Sequence, residues 1–237
     1  KGRWVTDDYM SDLITNELDS AVSAGELLFH YTTTIQNHMS YTADKYGEGY
    51  EFPPVPLTIS VSDEVETMLR VYTEGVRDAD AMLGRLVDTF SAQEEPVVLV
   101  YFGDHLPYLG DNQLGYQALG LTQETDWDAL RSYETPYVIW ANDAAAEALD
   151  LPETISASFL GAAVLELTGR GEETPWFAFL NALRRVSPVV QKQTCVLADG
   201  STVSPLDAGA VPDALEDSLR QWRCWSYYKL RYQEIPE

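Results

Sequence analysis

The chain has 237 residues, 45% hydrophobic and 11% aromatic, enough for one large or two small globular domains and unlike a disordered polymer. Its 38 acidic side chains against 15 basic ones leave a formal net charge of −23. That balance argues against duplex nucleic acid and against loose electrostatic adhesion to an anionic membrane, because both draw affinity from Lys and Arg. An anionic substrate would need a local cation. No run of about 18 apolar residues is present to cross a bilayer.

In chain order, the pattern predicts a helix from Asp8 to Ala24, ended by Gly25. "ELLFHYTTTIQNH" is rich in aromatic and β-branched residues and reads as a strand leading to Asn37 and His38. "YTADKYGEGYEFPPVPLTIS" is a loop, rich in Pro and Gly. From Asp63 to Phe90, apolar residues recur at three- and four-residue steps behind a Ser62–Asp63 N-cap, an amphipathic helix. Val97 to Phe102 are all apolar, as in a strand buried on both faces. "DNQLGYQALGLTQETDWDALRS" is a polar loop with some helical character, and "TPYVIWAN" a second buried strand. "SASFLGAAVLELTG" reads as a helix closed by Gly169, and "TCVLADGSTVS" carries the Asp-Gly pair of a β-hairpin. A last helix buries Leu215, Leu219, Trp222 and Tyr228; its "WRCWSYYKLRY" suits core packing better than an interface. Cys195 and Cys224 fit no metal-binding spacing and are either one disulfide or two buried thiols. With no internal repeat, the alternation of strand and helix predicts an α/β unit with a largely parallel sheet.

The chemistry gathers at strand ends. Gly103, Asp104 and His105 follow the apolar run directly, and in open α/β sheets reactive groups sit beyond the carboxyl ends of strands. Alone, an Asp-His pair is more often a turn cap beside a satisfied histidine. At this position it can project a carboxylate and an imidazole into one pocket, a donor set suited to Mn²⁺, Zn²⁺ or Fe. His38 follows a strand-like run too, and the chain holds only three histidines. If the two strands are parallel neighbours, His38 and His105 share a sheet edge. His30, inside its strand pattern, is structural.

These residues resemble the lipoteichoic acid synthase-like phosphoglycerol transferases of the sulfatase and alkaline phosphatase superfamily. "VVLVYFGDHLPYLGDN" is similar to the family's metal-ligand segment and "TTTIQNHMSYT" to its Asn-His-x-x-Tyr element. "RWVTDDYMSD" resembles an upstream Gly-Trp-x-x-Asp stretch, with Arg3 in the glycine's place. The helix before the GDH corner, and the strand and helix after it, also match, so the likeness runs from about residue 3 to about residue 185. It implies a sulfatase-like α/β fold, with 1–185 the C-terminal part of the catalytic domain and 186–237 a hairpin and aromatic helix packed on it.

The likeness further implies that Asp104 and His105 are ligands of a catalytic Mn²⁺, with Mg²⁺ or Zn²⁺ as alternatives, and that His38 contacts a phosphoglycerol head group. In such enzymes a threonine attacks a phosphatidylglycerol-like lipid, forming a covalent phosphoglycerol–enzyme, and the glycerol phosphate passes to a glycolipid or polymer acceptor. The family's threonine and a further acidic ligand lie upstream of the Asn-His element and have no counterpart here. Thr6 is in the wrong context and Thr32–Thr34 lie within the strand pattern. The expectation is therefore a fragment, inactive alone, of a membrane-anchored enzyme whose catalytic domain is extracellular; that setting favours a Cys195–Cys224 disulfide. The competing readings are a sulfatase or phosphoethanolamine transferase, and a non-catalytic binding module in which the corner survives as structure.

Overall fold

Helix α1 (Asp7–Ala24) starts where the Thr6 side chain accepts a hydrogen bond from Tyr9 N at 3.1 Å. It stops at Gly25, whose φ of 66° is the left-handed conformation that glycine adopts without strain. Helix α2 (Asp63–Ser91) starts the same way, with Ser62 capping Val65 N at 3.3 Å. The computed structural model describes residues 2–121, 130–143, 151–207 and 209–232. They divide into two compact units, Lys1–Ala144 and Ala145–Glu237.

In the first unit α2 is the spine, and its two halves bury different things. The C-terminal half places Met82, Leu86 and Phe90 against Met10, Ile14 and Leu18 of α1 and against Val97, Leu99 and Trp140 of the sheet. The N-terminal half places Val65, Leu69 and Val71 against Tyr41 and Leu109, which belong to the loops after His38 and His105. Strand β1 (Val98–Phe102) pairs with β2 (Tyr137–Ala141), Val98 opposite Ala141 and Phe102 opposite Tyr137. Buried Asn142 ties this sheet to the end of α2: its Oδ1 accepts from Val97 N at 3.0 Å, and its Nδ2 donates to Glu95 O at 2.8 Å and Gln93 O at 3.2 Å. Helix α3 (Leu114–Ala118) follows a 3₁₀ turn at Asp111–Gln113. Residues 122–129 of the polar stretch lie outside the described residues.

The α/β class holds, with two corrections. The expected parallel sheet is antiparallel where described, since β2 runs back along β1. The strand expected over residues 26–38 pairs with no strand among the described residues. Its β-type composition is genuine, but Leu27, Phe29 and Tyr31 are 96%, 91% and 70% exposed, so no sheet face covers their alternating side chains. Local propensity names a strand only when a neighbour supplies the ladder.

The second unit packs around Phe159, Ala162, Leu180, Leu183, Cys195 and Leu215. Helix α4 (Leu160–Leu167) ends near Gly169 as expected. Helix α5 (Pro175–Val186) is absent from the sequence reading, although Thr174 caps Phe177 N at 3.3 Å and Pro175 occupies the first turn, a standard helix start. Strands β3 (Val189–Val190), β4 (Cys195–Val196) and β5 (Thr202–Val203) form an antiparallel sheet, with the Asp199–Gly200 pair between β4 and β5. Helix α6 (Asp213–Tyr232) buries Leu215 and packs Leu219 and Trp222, whereas Tyr228 is exposed, contrary to expectation. Cys195 is buried and Cys224 exposed, and both are free thiols, so the disulfide is not formed. Because α4 and α5 share one core with the hairpin and α6, the compact units part at Ala144, whereas the family likeness drew its boundary after residue 185.

Candidate functional site

At the end of β1 the sheet lets go of the chain. Gly103 N donates to Pro136 O at 3.1 Å and Thr135 Oγ1 donates to Gly103 O at 2.7 Å, fixing the last paired residue. Asp104 and His105 then project outward, their side chains 74% and 68% exposed. Asp104 Oδ1 accepts from His105 N at 2.9 Å, which orients the carboxylate. His105 Nδ1 lies 2.8 Å from Leu106 O. A carbonyl only accepts, so Nδ1 carries a proton, and in the neutral ring Nε2 presents its lone pair. That Nε2 lies 3.5 Å from Asp104 Oδ2.

Two donors at that separation, each about 2.1 Å from one ion, would subtend roughly 110°, close to a tetrahedral angle. A carboxylate beside a neutral imidazole with its far nitrogen bonded is also the usual chemistry of a transition-metal ligand pair. The pair therefore fits part of a metal shell. Among the described residues no cluster of three His, Cys, Asp or Glu side chains completes it.

His38 is exposed, but its backbone is held from several sides. The Gln36 amide is buried, accepting from Asp7 N of α1 at 2.9 Å and donating to Asp78 of α2. Asn37 sits in a notch over Gly75 of α2, where any Cβ would meet Asn37 Oδ1 at 2.0 Å. Asn37 O accepts from the Tyr41 hydroxyl at 2.9 Å, and His38 O accepts from the Lys45 ammonium. His38 Nδ1 is 3.1 Å from Met39 O, so this ring too is fixed by the carbonyl of the next residue and leaves Nε2 outward.

Both loops are fastened to the same part of α2. Tyr41, from the His38 loop, and Leu109, from beyond His105, are buried in one cluster with Val65, Leu69 and Val71. Tyr116 reaches back to Pro107 O at 2.6 Å. Burial pushes the Tyr41 phenol well above its ordinary pKa, helped by Tyr72, Tyr116 and Tyr46 and by the negative charge of Asp104. Asp104 thus lies within electrostatic reach of the hydroxyl that holds Asn37. His30 stands apart, its Nδ1 2.6 Å from Glu17 Oε2 and its Nε2 2.5 Å from Thr32 Oγ1, a structural role. Thr6 is spent as the α1 cap. The sequence reading missed Gln36, Lys45 and Gly75, for which no short motif exists; the signal available was Gly75 interrupting an otherwise strong helix.

The sulfatase family model matches residues 2–170, most of the chain and all of the residues just described. The chain belongs to the sulfatase family. Its likeness to the "putative cyclic beta-1,2-glucan modification protein" of Rhizobium meliloti (strain 1021) is 27% identity over 228 residues, covering 92% of this chain and 33% of that protein. Among solved structures, the Streptococcus pyogenes phosphoglycerol transferase GacH in complex with sn-glycerol-1-phosphate matches with a TM-score of 0.62 at 19% identity. That alignment covers 98% of this chain and 52% of GacH, and at such identity it shows the fold. The chain thus spans about a third of the curated relative and half of the solved one. Within this sulfatase-family chain, two loops packed on α2 carry histidines whose Nδ1 lies against the next residue's carbonyl, one of them beside a carboxylate.

Proposed function

We propose that this chain is the C-terminal part of the catalytic domain of a metal-dependent phosphoglycerol transferase, which moves glycerol phosphate from a phosphatidylglycerol-like lipid to a glycan or other polymer acceptor. The observation that carries the reading is the pair of outward Nε2 atoms, on His38 and His105, on loops fastened to one cluster of α2. The sulfatase family and the GacH fold support the reaction class, and the curated relative's name favours a glucan acceptor.

In this reading Asp104 Oδ2 and His105 Nε2 hold Mn²⁺, with Mg²⁺ or Zn²⁺ as alternatives. When bound, the ion screens phosphate charge and supplies the local cation that a chain of net charge −23 otherwise lacks for an anionic lipid. His38 Nε2 accepts a hydrogen bond from a glycerol hydroxyl when neutral and donates to the phosphate when protonated. The nucleophile, a threonine, is supplied by a part of the domain outside this chain. Its Oγ gives up its proton and bonds to phosphorus as the bond to the diacylglycerol oxygen breaks, diacylglycerol leaving with a proton; an acceptor hydroxyl then loses its proton and bonds to the phosphorus as the threonine oxygen is released and reprotonated. The catalytic domain works at the outer face of a cell membrane to which it is anchored upstream.

The test is a transfer assay from phosphatidylglycerol vesicles to a soluble β-glucan with Mn²⁺, on the 237-residue chain and on a longer protein that includes the residues encoded before it. Transfer by the longer protein alone, abolished by Asp104→Ala, is the expected result. Turnover by the 237-residue chain would overturn the placement of the nucleophile, and sulfate-ester hydrolysis without transfer would overturn the reaction class.

A further inference from the structure

Lys45 is only 7% exposed, in a chain where acids outnumber bases 38 to 15. A buried ammonium in such a chain would ordinarily be matched by a carboxylate. Here its partners among the described residues are two backbone carbonyls and three ring faces. It donates to His38 O, and at 3.4 Å to Ser40 O. The Trp4 ring centroid is 4.3 Å from Nζ, with the Tyr41 and Tyr46 rings at 5.5 and 5.8 Å.

We propose that Lys45, boxed by Trp4, Tyr41 and Tyr46, is the positioning residue that sets His38 for the phosphoglycerol head group. This inference rests on the reading that His38 contacts that group. Charge-assisted bonds to two carbonyls of the turn are stronger and more directional than neutral ones, and they hold the His38–Met39 and Ser40–Tyr41 peptides. Aromatic faces stabilise the cation without competing for those carbonyls, whereas a carboxylate would draw the ammonium away from them. The arrangement also gives the Trp4–Asp7 stretch a task. Trp4 caps the lysine, and Asp7 N holds Gln36, so both ends of the stretch grip the His38 loop.

The experiment compares the unaltered protein with Lys45→Met, which keeps the apolar stem and removes the ammonium. In the longer protein, Lys45→Met is expected to raise KM for the phosphatidylglycerol donor about tenfold, the effect of losing one charge-assisted bond's worth of placement. The kcat and the Mn²⁺ affinity, which report on Asp104 and His105, stay within about twofold. In the 237-residue chain, amide exchange at His38, whose N–H donates to Ile35 O at 3.1 Å, speeds up about tenfold while that of Leu99, opposite Trp140 in the β1–β2 ladder, is unchanged. A folded Lys45→Met with unaltered KM and unaltered His38 exchange overturns the proposal, as does a parallel fall in kcat and Mn²⁺ affinity, which marks general damage. Should Lys45→Met fail to fold, Trp4→Leu takes its place: it keeps the ammonium, and a KM rise of about threefold supports the box while an unchanged KM overturns it. Absence of transfer by the unaltered longer protein overturns the proposed function instead, and the exchange measurement still decides the role of Lys45.

Discussion

The two loops of the candidate site are built on opposite principles. The His38 loop is tied by long-range contacts to α1, to α2 and to Lys45, so its histidine is exposed but its backbone is not free to move. The Asp104–His105 corner is held mainly by its own neighbours in sequence, beyond the point where β2 stops supporting it. Under the proposed function His38 is a head-group contact, which must be preorganised because the protein alone sets its distance from the reacting centre. Asp104 and His105, as the proposed metal ligands, can be left adjustable, because an ion would draw them together.

The sharpest way to break the comparison is at Gly75. A methyl group there would meet Asn37 Oδ1 at 2.0 Å and Asn37 Cγ at 2.3 Å, so Asn37 must leave its notch and carry Gln36 and His38 with it. Gly75→Ala is expected to cost about 2–3 kcal/mol, the upper range for overpacking a tight site. Chemical denaturation measures that loss, and amide exchange should locate it in the His38 loop while β1 keeps its protection.

Alkaline pH should strike the same loop next. Burial raises the pKa of Tyr41, Tyr72, Tyr101 and Tyr116 above the ordinary 10.0. With folded values above unfolded ones, the stability tied to the neutral phenols is complete below pH 10 and is lost as pH rises through the folded values. Each such phenol costs up to about 1.4 kcal/mol per pH unit in that window. Phenolate absorbance at 295 nm should therefore appear together with unfolding, and Tyr41→Phe should remove part of the dependence. Smooth titration of Tyr41, Tyr72 and Tyr116 in a folded protein would contradict the packing that fastens both loops to α2.

How much of this was legible in the sequence follows from the range of the forces involved. Helices α1 and α2, their caps, the apolar run of β1 and the Asp199–Gly200 turn rest on neighbours within a few residues, and the sequence displays them. The place of Asp104 and His105 just past a strand end was legible for the same reason, since a strand end and its next residues are local. The orientation of β2 was not, because strand composition says nothing about direction. Residues 26–38 misled because alternation records a preference for a sheet face and not the presence of one. The anchors of His38 were invisible for a third reason. Gln36 meets Asp7 across 29 residues and Asp78 across 42, and no pattern in either segment names the other.

Gly84 makes the Gly75 experiment more discriminating. It lies on the same helix, yet a Cβ there would meet nothing within 4 Å. Gly84→Ala should stabilise the protein by about 0.5–1 kcal/mol through helix propensity alone. The two substitutions are chemically identical, so opposite signs would assign the cost at Gly75 to the Asn37 notch. A loss at both positions would instead mean that α2 tolerates no change of this kind, and the notch would lose its special status.

The smallest effect on stability is expected at the residue with the largest proposed role. Asp104 is well exposed, and its described contacts are a hydrogen bond from the next amide and a solvent-open approach of its Oδ2 to His105 Nε2 at 3.5 Å. Asp104→Ala should therefore change unfolding free energy by less than about 0.5 kcal/mol. The same substitution leaves His105 Nε2 as the sole donor of the pair, so Mn²⁺ affinity measured by calorimetry should fall at least about tenfold. Obtaining both numbers on one sample separates the two kinds of loop. A corner that serves only the fold would lose stability and show no change in metal binding, whereas a ligand pair held loosely in readiness would lose the metal and keep the fold.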